Sequence, residues 1–315
     1  MVNKALNEFI AKTLSKSDTN MEKLLAQFCN TLLSDLNEAR KEIQLKIAWI
    51  YEKYGDDVDM QTMQQKSRLI NLDRQIAGEI EALTKDNIKA ITTSIESFYS
   101  ESFMYTGYAL EMGIKADLGF GIINPKTIQA AVLNPMDKIK WPDALKANAE
   151  NYANRISQEV RRGLITGQGY AKTAGKVTEL TTKHANKTFR IVRTESHRVH
   201  NLGRIMGYEE GESAAEDLGF TTKRVWVATL DNKTRDSHAE MDGQEANEND
   251  MFVLPSGIET MGPGLSGIAE EDINCRCTTR LEIVGMEPSA RKDNISKDFV
   301  PNKSYAEWKK GREAS

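Results

Sequence analysis

The chain has 315 residues, of which 39% are apolar and 28% charged, with a formal net charge of −4. At roughly 100–200 residues per domain it has room for about two domains and a core, but it has no uninterrupted apolar run of about 18 residues to cross a membrane, and its first residues lack the apolar stretch and cleavage site expected of a secretory leader. Three cysteines, Cys29, Cys275 and Cys277, are too few for a disulfide framework and suit a reducing compartment.

Apolar residues recur at Met21, Leu25, Phe28, Leu32, Leu36, Ala39, Ile43, Ile47, Ile50 and Tyr54. Their mean step is about 3.67, the eleven-residue period of a nearly straight packed helix. The run Gly55-Asp56-Asp57-Val58-Asp59 breaks it. A second stripe runs through Leu69, Leu72, Ile76, Ile80, Leu83, Ile88, Ile91, Ile95 and Phe98. This predicts an antiparallel helical hairpin, roughly 50 Å long, within residues 1–120. Such a hairpin buries one stripe and leaves little core, so a third helix, a partner or an oligomer has to cover the remainder. It reads as a docking or oligomerisation element. Met60, Met63, Met104 and Met112 suit adaptable packing.

Residues 113–125 hold three glycines and a proline, which places a boundary near residue 121. Asn134-Pro135 and Trp141-Pro142 punctuate the next stretch of chain. A helix is expected from about Asp143 to Leu164, with Pro142 suited to its start. A short helix at 170–181 and a longer one at 184–212 come next. Charge is uneven here. Residues 155–204 carry 11 Lys and Arg against 3 Asp and Glu, with three of the four histidines, whereas residues 205–275 carry 4 against 16. The basic segment is either a solvated face balanced by the acidic one or a contact for a polyanion. In the second case Arg161, Arg162, Lys172, Lys176, Lys183, Lys187 and Arg190 are the candidate DNA-binding residues.

The period then switches from 3.6 to 2. Val225–Leu230 is apolar on both parities, as in a strand covered on both sides. In 277–283, Cys277, Leu281 and Ile283 share one face and Arg280 and Glu282 the other, as in a half-exposed strand. Between them, residues 243–273 form a long acidic loop with five glycines and two prolines, and a loop of that length usually has a function or is held by something.

Three constellations can carry chemistry. Arg193-Thr194-Glu195 lies on a predicted helix with His197 and His200, which share a face and read as surface histidines. A buried Glu195 would need an arginine or backbone donors. Asp231, Thr234, Arg235, His238, Asp242 and Gly243 come after the buried strand. They form either a polar strand-to-helix turn, with Asp231 as helix cap, or a site using His238 as ligand or base. In Asn274-Cys275-Arg276-Cys277 the two thiols share a strand face. They are small buried hydrophobes, or with His238 and Asp272 they make a four-ligand zinc site. A disulfide between them would be badly strained. There is no phosphate-cradling glycine loop, no G-x-S-x-G and no H-E-x-x-H.

As an ordered set, Arg193-Thr194-Glu195, Trp226, Asp231, Thr234, Arg235, His238, Asp242, Gly243 and Asn274-Cys275-Arg276-Cys277 resemble the Mu F-like phage head morphogenesis family, the minor head proteins of tailed phages. The tail Ser304-Tyr305-Ala306-Glu307-Trp308 is also similar to that of some members. The resemblance covers about 121–285. With the long N-terminal hairpin (1–120) read from its periodicity and the basic tail (291–315) from its charge, it implies an α+β fold that is predominantly helical, with a mixed α/β head-morphogenesis domain carrying a small sheet at 121–290. It implies a non-enzymatic virion protein inside the head near the portal. Its partners would be the portal protein, a major capsid or scaffolding protein and double-stranded DNA without sequence preference, with no membrane. Many relatives carry C-x-x-C where this chain has Arg235 and His238, and histidine where it has Asp272. Zinc is therefore not implied outright, and a pin from Arg235 to a nearby carboxylate can replace it. The competing readings are a metal-dependent hydrolase at His238, Cys275 and Cys277, or an ADP-ribosyltransferase-like enzyme at Arg193 and Glu195. The absence of a toxin-sized extension after residue 290 weighs against the latter.

Overall fold

The computed structural model describes residues 2–54, 67–133, 140–284, 290–292, 295 and 298–301. The turn at 55–59, Met60, Met63, Asn134-Pro135, the 304–308 motif and most of the basic tail lie outside these residues.

Helices α1 (Val2–Tyr54), α2 (Arg68–Ile114), α3 (Pro125–Val132), α4 (Trp141–Ile165) and α5 (Tyr170–Asp217) precede strand β1 (Thr222–Val227). Then come α6 (Asp236–Glu240), β2 (Phe252–Val253), β3 (Glu259–Thr260), α7 (Ala269–Asp272) and β4 (Thr278–Ile283), with a short pair, β5 (Ala290–Lys292) and β6 (Phe299–Pro301), at the end. The fold is α+β and predominantly helical, as expected. The 170–181 and 184–212 segments are one helix, α5. Nothing at Thr182-Lys183 breaks it, and the hydroxyls of Thr181 and Thr182 bond back to the carbonyls of Val177 and Thr178 within the helix. Asp143 sits in the first turn of α4, with a proline at its start.

The chain forms two compact units. One, the bundle unit, comprises Leu25–Thr92 and Ile139–Val192; the other, the sheet unit, comprises Met1–Leu24, Thr93–Lys138 and Arg193–Ser315. This division does not follow the expected boundary near 121. Each arm of the predicted hairpin shares one core with later helices along part of its length and a different core along the rest.

In the bundle unit, the α1 stripe (Ile43, Ile47, Ile50) meets the α2 stripe (Leu69, Leu72, Ile76, Ile80). Tyr152, Ile156 and Val160 of α4 and Val177 and Leu180 of α5 close the core. The cover that the hairpin requires comes from the chain's own helices. Each fully buried Ile or Val contributes roughly 1.5–3 kcal/mol.

In the sheet unit, α5 meets the end of α2 through three glycines four residues apart. A Cβ on Gly203 would lie 2.3 Å from the Tyr99 carbonyl oxygen, one on Gly207 2.8 Å from the Thr106 side chain, and one on Gly211 2.6 Å from Leu110. Only glycine allows this approach of one helix to the other. Ile10 and Leu14 of α1 complete this core with Ile205, Tyr208, Leu281 and Ile283.

Strands β1 and β4 pair antiparallel, with Trp226 opposite Thr279 and Arg224 opposite Leu281. The polar face of β4 is not open to solvent as expected. Glu282 is buried, held by Arg280 of its own strand and by Lys223 at 3.7 Å on the strand opposite. The acidic segment 243–273 is also more ordered than a loop. It contributes a bridge from Glu245 to Val225, the β2–β3 ladder and α7. Among the described residues no helix is long and apolar enough to cross a membrane.

Candidate functional site

The three constellations converge in the sheet unit. After β1, the chain is tied by side-chain bonds to backbone. Asp242 accepts from the Ala228 amide at 2.9 Å, Thr234 donates to the Thr229 carbonyl at 2.6 Å, and Thr229 donates to the Arg276 carbonyl at 2.6 Å. Gly243 has φ +81°, a left-handed value that suits glycine, and its amide donates to the Trp226 carbonyl at 3.0 Å. Asp231 does not cap a helix. It accepts from the Lys233 amide at 2.8 Å and from the Arg276 guanidinium, with one contact at 2.8 Å, while α6 begins only at Asp236. Among the described residues Arg235 pairs with no carboxylate. It donates to the carbonyls of Glu271 and Ile273 and so clasps the end of α7.

His238 is the centre of this arrangement. Its ring lies edge-on to Trp226, 5.6 Å between centroids, and Trp226 is similarly edge-on to Phe252. Nδ1 faces Cys275 Sγ at 3.5 Å and Cys277 Sγ at 3.7 Å, and Nε2 lies 3.1 Å from Glu271 Oε2. All three donors are buried and lie within 4.8 Å of one another. With Zn–N near 2.0–2.1 Å and Zn–S near 2.3 Å, the N···S edge of a tetrahedral zinc site is about 3.5 Å, so these side chains fit three corners. A carboxylate behind the distal ring nitrogen is the usual support for a metal-bound histidine. Beside them is a cavity of about 210 Å³ whose lining includes Thr234, Arg235 and Asn274.

Asp272 does not join the cluster, contrary to expectation. Its carboxylate is occupied by the Ser266 amide (3.2 Å) and hydroxyl (2.8 Å) and by the Gly267 amide (2.8 Å). It orders the turn before α7, and its neighbour Glu271 supports His238.

Without metal, the cluster is a polarised thiol pair. The hydrogen bond from Cys275 and the adjacent imidazole hold the Cys277 thiol well below its ordinary value, although burial opposes this. Donation to Cys277, with burial, pushes Cys275 well above. Burial alone would lower His238, but Cys277 and Glu271 outweigh it and the imidazole is raised.

The Arg-Thr-Glu turn of α5 is locked. Glu195 is buried and accepts from Arg198 Nε at 2.7 Å; burial raises its carboxyl, against the pull of Arg198. Arg198 also donates to the carbonyls of Ala131 and Val132 at 3.1 and 3.0 Å. Thr194 Oγ1 accepts from the Asn274 amide at 3.2 Å. Asn274 has φ +59°, which asparagine tolerates better than most residues. Arg193 is exposed.

His200 and His197 are not the surface pair expected. They line a cavity of about 100 Å³ with Asp18, Asn201, Arg204 and Arg276. Burial lowers both, His197 to about 4.

Residues 154–280 match the family described as Phage Mu protein F like protein. The minor head protein GP7 of Bacillus phage SPP1 is 27% identical over 98% of this chain and 97% of its own length. The family match and the near full-length similarity to a minor head protein support the Mu F-like minor head family. An NAD(+)–arginine ADP-ribosyltransferase, EFV, of Enterococcus faecalis is 29% identical over 96% of the chain, which spans only 60% of that relative's length. An uncharacterised Haemophilus influenzae protein is 23% identical over 52% of the chain. No solved structure matches significantly.

Several residues that hold this Mu F-like site together carry no sequence signature. Asn201 donates to the carbonyls of Pro263 (2.9 Å) and Cys277 (3.0 Å). Arg204 reaches the carbonyls of Leu14 and Thr279 and the carboxylate of Asp18. Tyr208 donates to the Thr279 carbonyl at 3.1 Å. Only Arg198, three residues after Glu195, was open to inference from helical spacing.

The seven candidate DNA-binding residues are all exposed and all lie in the bundle unit. Four have acidic partners: Arg161 with Asp73, Arg162 with Glu159, and Lys176 and Lys183 with Glu179.

Proposed function

We propose that this chain is a structural minor head protein. It works in head assembly and in packaging or delivery of DNA, inside the head near the portal, and contacts portal protein, the major capsid or scaffolding protein, and double-stranded DNA without sequence preference. The observation that carries the reading is the locked state of the Arg-Thr-Glu motif. Glu195 and Thr194 are both engaged by their own chain, so the motif acts as a clasp. Alignment along nearly the whole of a protein named as a minor head protein supports the same reading. The exposed cations of α4 and α5 supply the DNA contact, because surface ion pairs of their kind are worth only about 0–1 kcal/mol and open readily to phosphate.

The test is association with purified heads and portal, combined with DNA affinity across salt. Co-purification with portal is expected, as is affinity that falls steeply with salt and weakens for all sequences alike when several of the seven cations become glutamate. Failure to associate with heads, or DNA affinity indifferent to salt, would overturn the reading.

A metal centre is favoured as a second property by the 3.5 and 3.7 Å contacts of His238. His238, Cys275 and Cys277 would hold a zinc ion, which would cross-link α6 to the segment entering β4. A hydrolase would need that centre to act on a substrate. Turnover by the wild-type protein that His238→Ala removes without loss of fold would establish the enzyme reading instead. Glu195→Gln without effect on any NAD+-dependent activity would dispose of the transferase reading.

A further inference from the structure

In the bundle unit, α4 and α5 line an open pocket of about 200 Å³, several times the roughly 30 Å³ that a water molecule occupies in the liquid. Arg155, Lys183 and Lys187 line it together with Asn148, Asn151 and His184, and among the described residues no carboxylate does. Of the other cations of this face, Arg161, Arg162 and Lys176 each sit against an acid. Among the described residues no ion pair joins Arg155 or Lys187 to a carboxylate, and Lys183 alone of the three has one, to Glu179 at 2.6 Å.

The floor is built rather than incidental. The His184 ring stacks on Tyr152 with centroids 4.5 Å apart and an interplanar angle of 6°. Tyr152 is pinned by a 2.6 Å hydrogen bond with Thr181, and Asn148 donates to the His184 carbonyl and to Thr188 at 3.2 and 3.1 Å. His184 is only 9% exposed, and its buried Nδ1 has no hydrogen-bond partner. A buried ring nitrogen left without a protein partner costs free energy.

We propose that this cavity seats a phosphate group, with Arg155, Lys183 and Lys187 supplying charge and the stacked His184 ring forming its buried floor. The inference deepens the DNA reading above and rests on it for the source of the phosphate. A backbone phosphate held here would fix the duplex against α4 and α5 without reading its sequence.

The test uses the full-length chain and two readouts. The first is the His184 imidazole resonance, followed by NMR on addition of inorganic phosphate and, separately, of a short DNA duplex. The second is duplex affinity across salt for two exposed double variants of equal charge change: Arg155→Gln with Lys187→Gln at the cavity, and Lys172→Gln with Arg190→Gln elsewhere on the face. Phosphate and DNA should both move the His184 signal. The cavity pair should lose roughly tenfold in affinity and flatten the salt slope by about 2, with a smaller loss for the control pair. DNA binding with an unmoved His184 signal and equal losses from both pairs would overturn the seat and leave the DNA reading standing. A His184 response to phosphate in a chain that binds no duplex would keep the seat, with free phosphate as its ligand, and sink the DNA reading. No response to either sinks the seat.

Discussion

His200 Nε2 sits 2.9 Å from the Asp18 carboxylate, although 182 residues separate them. Asp18 also receives Arg204, which is 1% exposed, so one carboxylate near the start of the chain serves two buried groups of α5. Burial by itself would raise the Asp18 carboxyl, but the Arg204 charge and the His200 hydrogen bond overcome it and hold it at about 2. A carboxylate lowered from 3.8 to about 2 binds fewer protons folded than unfolded. It therefore contributes stability that is present in full above about pH 4 and lost as pH falls through 2, amounting to about 2 kcal/mol. Asp18→Asn should cost about 3 kcal/mol near neutral pH, because Arg204 is left with an uncompensated charge, and should remove this step. Urea denaturation between pH 2 and 7 measures both effects. An unchanged acid limb in the variant would contradict the assignment.

The second expectation concerns His184. Burial first, and then the charge of Lys187, lower its imidazole from 6.5 to about 4. Between those values the unfolded chain takes up a proton that the folded chain refuses. Stability is thus complete above about pH 6.5 and falls as pH drops toward 4, by about 3 kcal/mol. His184→Phe keeps a ring against Tyr152 and removes the titration. Its unfolding free energy should be flatter than wild type between pH 4 and 6.5, by equilibrium denaturation followed on a bundle-unit probe.

The apolar stripes of α1 and α2 and the buried strand β1 were readable because burial on one side imposes a period of 3.6 or 2. The unit boundaries were not. Ile10 and Ile43 belong to one helix but to separate cores, and nothing in the helix sequence marks the change of partner. At the site, His238, Cys275 and Cys277 were legible from residue type and spacing. Asp272 was expected as a ligand by its position in the motif, yet the turn at Ser266 and Gly267 captures its carboxylate. Asp18 and Asn201 act through tertiary contacts alone. The predicted helix at 184–212 gave Gly203, Gly207 and Gly211 no role, because their meaning lies in the α2 atoms opposite them, such as the Tyr99 backbone opposite Gly203.

Those glycines yield a third expectation. At Gly203 an added methyl would meet the Tyr99 carbonyl oxygen at 2.3 Å, a backbone atom that cannot rotate away. Gly203→Ala should destabilise the protein by about 3 kcal/mol, the upper end of ordinary overpacking. At Gly78, in the exposed interior of α2, nothing lies within 4 Å, so Gly78→Ala should stabilise by about 1 kcal/mol through helix propensity. Opposite shifts in melting temperature are the check. Shifts of equal sign would mean that the close approach of α5 to α2 does not hold in solution.

The last expectation separates a metal centre from a thiol–imidazole pin at His238. In either case Cys277, 3% exposed, packs in the small core with Trp226, Met241 and Phe252. Cys277→Ser should therefore cost roughly 1–3 kcal/mol by introducing a hydroxyl at a core-facing position. The two cases differ in what a chelator does. If zinc is held, protein purified without chelator carries about one equivalent by mass spectrometry. Removing it lowers the melting temperature, and cobalt substitution gives thiolate-to-metal absorption that Cys277→Ser and His238→Ala both abolish. If the pin stands alone, chelator changes nothing. Ligation by metal would moreover be acid-sensitive, since both thiols must lose protons to bind, so zinc release on acidification tracks the loss of stability only in the first case. Glu271→Gln refines the outcome. It preserves a contact to Nε2 but removes the charge behind the ring, and loss of such a support typically weakens metal affinity by about 10–100-fold. A metal-free pin would instead show only a small change in stability.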